Sequence, residues 1–304
     1  MTSPRVGPDA PQTPSGLKGA RHVSGFYEGT RWMKRSEGYV RPPSAPFVLP
    51  KTPKKHRPLG ATSPIVWVVE PSFGCNLACA HCVAEQILPQ DNALVTEETW
   101  RSTFEIINTV SPYVRIDVAG TVGEPTLNPD LPRLMKIARE LAPNVQIQIT
   151  TNGTRLLARE FKMKELLDAG ANILYVDQYG KHERFEQLAS ESGYPWFQYY
   201  DKPEGAPTPW RYWGPDMKLI VLMNEPSSWP KSRRSANILG SWLGRIDYDR
   251  AARAGFTDIK RLEEPLQRRC NQPFQYVTVS ATGDYLLCCQ DGLQVTRGQF
   301  GNVR

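Results

Sequence analysis

The chain has 304 residues, 40% of them hydrophobic, and a formal net charge of +6 at neutral pH. This length is enough for one α/β domain with a small appendage. No uninterrupted apolar run exceeds the length of the one at 219–223, which is far shorter than the roughly 18 residues that cross a bilayer. Residues 1–5 show no apolar stretch of the kind found in signal peptides. We therefore expect no membrane span and a cytosolic protein.

The positive charge is concentrated at the N-terminus. Residues 1–60 contain eleven Lys and Arg but only three Asp and Glu, a net charge of +8, whereas the remainder carries −2. The same segment holds ten prolines and seven glycines, with little apolar surface to offset the entropy of ordering. We predict an extended or disordered basic arm. Its Lys and Arg could bind nucleic acid, because such residues give sequence-independent affinity for phosphate.

A regular alternation of strands and helices begins after residue 64. The β-branched run at 65–69 predicts a buried strand, and a helix follows near 97–109 with Thr96 as its N-cap. Alternating elements of this length predict a parallel sheet with helices outside. The further elements are a strand at 113–118, a helix opened by Asn128 and Pro129, a strand at 145–149, a helix near 156–168, strands at 173–176 and 218–222, and a hairpin from 274–280 and 284–288.

Six cysteines fall into two groups of three. The first group is Cys75, Cys79 and Cys82, and the second is Cys270, Cys288 and Cys289. A secreted disulfide framework would be shorter and denser in cysteine, so we interpret the groups as two metal sites in a reducing compartment. Three thiolates on one loop can hold an iron–sulfur cluster and leave one iron open. The alternatives are inert core cysteines or a zinc loop, although structural zinc sites usually have four protein ligands.

The pattern Cys-x3-Cys-x2-Cys directly after the first strand of an alternating α/β chain resembles the radical S-adenosylmethionine (SAM) superfamily. The resemblance covers about 64–240. It implies a partial (β/α)6 barrel and a [4Fe–4S] cluster on Cys75, Cys79 and Cys82. It also implies that the open iron binds SAM, whose reductive cleavage releases a 5′-deoxyadenosyl radical. An electron donor such as flavodoxin or ferredoxin would then be a partner.

The same resemblance implies contacts with SAM from residues at the strand ends. The first of these candidate residues lies in the cysteine loop. Two more lie in a loop that resembles the family's GGEP motif, in which Val122 stands in place of the first glycine, and the others lie at the ends of the third and fourth strands. Ligands of open α/β sheets bind at this edge, although each residue also suits an ordinary turn. These candidates are His81, Gly123, Glu124, Asn152, Asp177 and Gln178.

The second cysteine group resembles the beginning of a SPASM or twitch extension: Cys270, twelve residues, then Gly283 and, after four more, Cys288. The resemblance implies an auxiliary [4Fe–4S] cluster on Cys270, Cys288 and Cys289. Neighbouring side chains of a strand point to opposite faces, so the last two cysteines can share a cluster only if the strand breaks there. An inert or oxidised pair is the alternative. The expected domains are a basic arm (1–60), a radical SAM core (61–245) and an auxiliary-cluster domain (246–304).

Three substrate classes remain open. The basic arm favours a nucleic acid, including bases modified after synthesis as in phage-type DNA hypermodification. Aromatic and basic residues interleave between 194 and 242, where they could stack on bases or simply pack between domains. A ribosomally made peptide and a small sugar or metabolite are the other substrates. The protein could instead be a non-catalytic iron–sulfur or zinc module that binds nucleic acid. Such a module would not need a SAM-binding loop, so the loop at 123–125 argues against it.

Overall fold

A computed structural model describes residues 33–35, 38–40, 66–79, 82–86, 92–119, 123–177, 181–199, 214–223, 248–253, 275–289, 291 and 293–304. The strands are β1 (Met33–Arg35), β2 (Gly38–Val40), β3 (Val66–Val69), β4 (Ser72–Phe73), β5 (Ala93–Leu94), β6 (Arg115–Val118), β7 (Gln146–Thr151), β8 (Ile173–Asp177), β9 (Trp196–Gln198), β10 (Leu219–Met223), β11 (Tyr276–Val279) and β12 (Tyr285–Leu286). The helices are α1 (Glu97–Val110), α2 (Leu131–Leu141), α3 (Thr154–Leu157), α4 (Met163–Asp168), α5 (His182–Glu191) and α6 (Tyr248–Arg253).

Eight strands form the main sheet, in the order β12-β11-β3-β6-β7-β8-β10-β9. Every pair in it is parallel except β11 with β12. A parallel sheet crossed by helical connections is the α/β class that the sequence predicts. Because the strands run the same way, the C-terminal ends of β3, β6, β7 and β8 lie along one edge.

The main core lies between this sheet and the helices. Trp100, Phe104 and Ile107 of α1 are fully buried against the sheet residues Ile116 and Ile149. Burying an aromatic or aliphatic side chain of this kind stabilises the fold by about 1.5–3 kcal/mol. The predicted cap is confirmed, since the Thr99 amide donates to Thr96 Oγ1 at 3.2 Å. Alternate residues of each central strand therefore face the helices, and the others face inward.

Two predicted helices differ in the structure. The helix expected from Asn128 begins at Leu131, because the Asn128 side chain donates to Pro71 O (2.9 Å) and accepts from the Asp130 amide. The helix expected over 156–168 is two helices, α3 and α4. They are separated at Arg159, whose φ of 59° ends the first of them.

The sequence missed α5 and β9. Strand β9 pairs with the far side of β10, so the strand order departs from the chain order. Its two aromatic residues pack on opposite faces of the sheet, with Trp196 on the helix side and Phe197 inside. At these positions the packing interpretation of the aromatic segment holds. Most of the other aromatic residues between 194 and 242 lie outside the described residues.

The C-terminal hairpin is confirmed, and it joins the main sheet instead of standing apart. Strand β11 pairs in parallel with β3, and the Glu70 amide donates to Val279 O at 3.0 Å. The turn requires Gly283, whose φ is +87°. Whether a domain boundary lies at 246 stays a prediction.

Part of the basic arm has regular structure. Strands β1 and β2 pair as an antiparallel hairpin, and β1 lies beside β9. The rest of residues 1–60 lies outside the described residues. No helix among the described residues is long and apolar enough to cross a membrane.

Candidate active site

The three cysteines of the first group lie on the loop that follows β4, and all are partly exposed and outside any disulfide. The loop turns back on itself, since the Cys82 amide donates to Cys79 O at 3.0 Å. A small apolar cluster lies beside Cys75 and Cys82; its buried members are Phe73, Val83, Ala84 and Ala281. Ala281 belongs to the C-terminal hairpin, which therefore contributes to the cover of the cysteine loop.

The thiols are close enough to influence one another. Burial raises the pKa of Cys82 to about 11, and the charges of Cys79 and Cys75 act in the same direction. Burial also raises the pKa of Cys75, with smaller contributions from Glu124 and Cys79. A metal that binds these sulfurs must displace their protons, because the thiolate is the ligand.

The sulfur atoms accept hydrogen bonds from nearby amides. The Leu77 amide donates to Cys75 Sγ and the Ala84 amide to Cys82 Sγ, both at 3.4 Å. The Asn152 side chain donates to Cys75 Sγ at 3.6 Å. N–H donors around cysteine sulfur are typical of iron–sulfur sites, where they tune the reduction potential. This loop therefore fits a cluster held by three thiolates.

A cluster and a single metal ion require different arrangements of ligands. Across the described ranges, no three His, Cys, Asp or Glu side chains are placed to hold one metal ion. Zinc needs all its ligands on a common ion, whereas each thiolate of a [4Fe–4S] cluster binds a different iron. His81 of the same loop lies outside the described residues, so the zinc alternative for the first group stays a prediction.

The loop after β6 is bonded directly to the cysteine loop. The Glu124 amide donates to Gly74 O at 2.9 Å, and Ser72 Oγ donates to Glu124 O at 2.6 Å. Gly123 is therefore held next to the residues that precede Cys75. The loop that resembles the SAM-binding motif and the cysteine loop meet at this edge of the sheet.

The Glu124 carboxylate is buried and points into the protein. Its oxygens accept four hydrogen bonds, from the Thr126 amide (3.0 Å), Thr126 Oγ1 (2.6 Å), Thr151 Oγ1 (2.5 Å) and the Asn152 amide (2.7 Å). These donors belong to the loop after β6 and to the end of β7. The side chain thus ties two strand ends together, while a role in binding SAM stays a prediction.

Asn152 connects this tie to the cysteines. Besides Cys75 Sγ, its amide group donates to Asn76 Oδ1 at 2.8 Å, and its Oδ1 accepts from Thr154 Oγ1 at 2.8 Å. The following residue must be glycine: Gly153 has φ +71°, and a Cβ there would lie 2.5 Å from the Phe185 ring. The turn that presents Asn152 therefore depends on the Asn-Gly pair that the sequence shows.

The remaining candidates are placed unequally. Asp177 ends β8, and burial raises its pKa to about 7, with Glu124 contributing in the same direction. The end of β8 therefore lies within electrostatic range of Glu124. His81, Gln178 and Cys270 lie outside the described residues.

The two described cysteines of the second group differ in burial. Strand β12 ends at Leu286, so the chain has already left the strand at Cys288, which is buried, and at the half-exposed Cys289. Burial raises the pKa of Tyr276 of β11, and the charge of Cys289 adds to the rise. The Cys289 thiol therefore lies near the inner face of the sheet. The auxiliary cluster stays a prediction, since its first expected ligand is not described.

Sequence reasoning missed several residues that hold the cysteine loop. Arg250 of α6 donates to Ala78 O at 2.6 Å, and Asn76 Nδ2 donates to Thr154 Oγ1 at 2.6 Å. Arg250 belongs to no recognisable motif, and Asn76 is a variable position between Cys75 and Cys79 of the cysteine motif. Arg250 in particular is separated from Ala78 by 172 positions, so only the fold brings the two together.

Comparison with known proteins places this architecture in a class. Residues 69–200 match the sequence profile of the Radical SAM superfamily. A solved structure titled BtrN in complex with AdoMet and 2-DOIA superposes with a TM-score of 0.52 at 19% identity, covering 79% of this chain and 78% of that one. This similarity shows the fold, and it confirms the partial barrel.

Curated relatives match about a third of the chain. A 7,8-dihydro-6-hydroxymethylpterin dimethyltransferase of Methanocaldococcus jannaschii is 31% identical over 116 residues, 36% of this chain and 21% of the relative. A GTP 3′,8-cyclase of Acidothermus cellulolyticus is 35% identical over 109 residues, 34% and 28% of the two chains. The matched parts thus span between a fifth and a third of these relatives' length. Residues 69–200 are thus similar to the radical SAM domain of these enzymes.

The hydrogen bond from Asn152 to Cys75 has a measurable consequence. Replacing Asn152 with Ala or Asp removes an N–H donor that favours the reduced, more negative cluster. We expect the reduction potential to fall by roughly 30–60 mV, the equivalent of about 1 kcal/mol per electron. A redox titration followed by electron paramagnetic resonance measures it. Thr154→Val retains the donor to sulfur and should leave the potential unchanged; equal shifts in all three variants would contradict the assignment.

Proposed function

We propose that this enzyme reductively cleaves SAM at the edge formed by the ends of β3, β6, β7 and β8, and that it abstracts a hydrogen atom from its substrate. The observation that carries the proposal is the direct contact between the loop of Gly123 and the cysteine loop, through the Glu124 amide and Gly74 O. With a [4Fe–4S] cluster and SAM bound, the chemistry supplied is one-electron cleavage to a 5′-deoxyadenosyl radical.

The residues of this chain hold and shield that chemistry. Cys75, Cys79 and Cys82 would bind three irons, and Asn152 orients the first of these thiolates through its hydrogen bond. The apolar residues beside the loop, Phe73 among them, restrict water, which matters because a radical intermediate must not meet competing reactants. The inner face of the barrel would then position the substrate.

Deuterium transfer tests the proposal most directly. The anaerobically reconstituted and reduced enzyme should convert SAM to methionine and 5′-deoxyadenosine. With the substrate deuterated at the reacting carbon, deuterium should appear in the deoxyadenosine, as measured by mass spectrometry. Absence of deoxyadenosine from fully reconstituted wild-type enzyme would overturn the proposal.

The nucleic-acid substrate remains a second proposal, supported by the net charge of +8 in residues 1–60. Apart from β1 and β2, these residues lie outside the described part of the chain. If the arm binds DNA or RNA, the logarithm of affinity should fall with the logarithm of salt concentration by about 0.9 per neutralised phosphate for a duplex and about 0.7 for a single strand. Binding that is insensitive to salt would remove this support and leave the peptide and metabolite substrates.

We further propose an electron donor, a location and a second cluster. A small redox protein such as flavodoxin or ferredoxin would supply the electron, and the protein would work in the cytosol.

Cys270, Cys288 and Cys289 would hold an auxiliary cluster. Iron that persists after all three cysteines of the first group are replaced would support this second cluster, and its complete loss would exclude it.

A further inference from the structure

The inner face of the sheet has an apolar half and a second half in which polar residues lie on either side of the inward valines of β3, Val66 and Val68. Ile173, Tyr175, Leu219 and Val221, together with Phe197, form an apolar cluster on β8, β10 and β9. On β6, β7 and β11 the residues that face inward are polar. The two halves meet where β7 pairs with β8.

Strand register places three of these polar residues in one line. Thr278 of β11 is level with Val68 of β3, Val68 with Asp117 of β6, and Asp117 with Gln148 of β7. We call Thr278, Asp117 and Gln148 the polar row. Neighbouring strands are about 4.8 Å apart, so Asp117 and Gln148 are adjacent and Thr278 lies about 10 Å from Asp117.

Each member of the polar row has an atom with unused hydrogen-bonding capacity. Asp117 Oδ2 accepts from Arg115 Nη2 at 2.7 Å, but Asp117 Oδ1 has no partner among the described residues. Gln148 Nε2 donates to Thr150 Oγ1, whereas its Oε1 has none within those ranges. The Thr278 hydroxyl is fully buried and equally without a described partner. Buried polar groups are normally paired, so three in one line indicate a ligand that pairs them.

The chemistry of these atoms defines what they would bind. Asp117 Oδ1 and Gln148 Oε1 only accept, and the Thr278 hydroxyl can do either. Burial raises the pKa of Asp117 to about 6 and Arg115 opposes that rise, so the group is mainly a carboxylate at neutral pH. An anionic ligand would place negative charge against two acceptors. Hydroxyl or ammonium groups would satisfy both.

We propose that the polar row binds the substrate, and that the substrate is a small molecule carrying several hydroxyl or amino groups. This inference rests on the proposed function, because the row lies inside the barrel, below the strand ends where SAM would be cleaved. It favours the small sugar or metabolite over the other two substrate classes.

Matched ring compounds test the proposal on the reconstituted enzyme with SAM present. Myo-inositol is compared with cyclohexanol, a ring of similar size with one hydroxyl group. D-glucosamine is compared with D-glucuronate, a ring of similar size with a negative charge. Ligand-observed NMR titrations should show myo-inositol and D-glucosamine binding at least about tenfold more tightly than their comparators, the worth of one hydrogen bond to a charged group. No binding of either probe, or equal binding of D-glucuronate and D-glucosamine, would overturn the proposal.

Variants locate the binding. Gln148→Met and Asp117→Asn should each weaken probe binding roughly tenfold; unchanged affinity in both would overturn the assignment. Asp117→Asn also disturbs the ion pair with Arg115. If the Asp117→Asn protein fails to fold, the affinity of Gln148→Met alone decides the assignment. Wild-type deoxyadenosine formation is scored separately, so failure of the proposed function is distinguishable from failure of this one.

Two buried threonines provide an independent check on whether the Thr278 hydroxyl has a hydrogen-bond partner within the chain. Thr103 Oγ1 donates to Thr99 O at 2.7 Å, so Thr103→Val should lower the melting temperature. Thr278→Val should not lower it, because no hydrogen bond is lost, yet it should weaken probe binding. A melting temperature lowered as much as in Thr103→Val would show that the chain itself pairs this hydroxyl, against the proposal.

Discussion

Replacing Cys79 with Ala should abolish SAM cleavage and reduce the iron content by about four atoms per chain, the content of one cubane cluster. Cys79 is the central residue of the triplet, and its neighbours Cys75 and Cys82 respond to its charge. Two thiolates cannot hold the cluster with a defined open iron. Deoxyadenosine formation and iron analysis of the anaerobically reconstituted protein measure the two effects.

Folding must be compared in the same variant. The cluster-free Cys79→Ala protein should unfold at the same denaturant concentration as cluster-free wild type, since the Cys79 side chain is partly exposed. Sustained deoxyadenosine formation by Cys79→Ala would refute the three-thiolate site. An equal loss of iron from wild type under the same handling would make the comparison a test of reconstitution only, so wild type is assayed beside it.

Replacing Glu124 with Ala should both destabilise the protein and slow SAM cleavage. Four donors lose their acceptor in a buried place. At about 1–3 kcal/mol for each group left unsatisfied, we expect a loss of at least about 3 kcal/mol even after partial rearrangement. For a domain of this size, that lowers the melting temperature by roughly 6–12 °C.

Cleavage should fall on the order of a hundredfold, because small displacements of reacting groups are costly and Glu124 fixes the loop beside Gly74. Glu124→Gln should also destabilise, since its amide nitrogen would face one of the four donors. The matched control is Glu105→Ala on the exposed face of α1, which should change neither quantity. A Glu124→Ala protein as stable as this control would contradict the buried tie.

Local sequence patterns predicted what local physics determines. The spacing of Cys75, Cys79 and Cys82 indicated a candidate cluster loop, which stays a prediction, and Thr96 marked the start of α1 through a cap that needs only neighbouring residues. Buried strands such as β3 were visible as apolar runs. In each case the determining interactions lie within a few residues along the chain.

Long-range placement could not be predicted in this way. Nothing in the sequence indicates that β9 adds beyond β10, or that β11 pairs with β3, because strand order depends on which edges remain available. The inward direction of the Glu124 carboxylate also escaped, since its partners Thr151 and Asn152 come from another strand end. The motif indicated a candidate loop after β6 without showing which way the Glu124 side chain faces.

The pairing of β3 with β11 also has a consequence for biosynthesis. Val66 pairs with Tyr276, which the ribosome adds 210 residues later. At about 5–20 residues per second, this delay is roughly 10–40 s, during which β6 can pair with β3 but the other edge of β3 is open. An open edge invites pairing with other chains. Newly made protein is therefore most exposed to aggregation beside its own cysteine loop, until the last strands emerge and cover that edge.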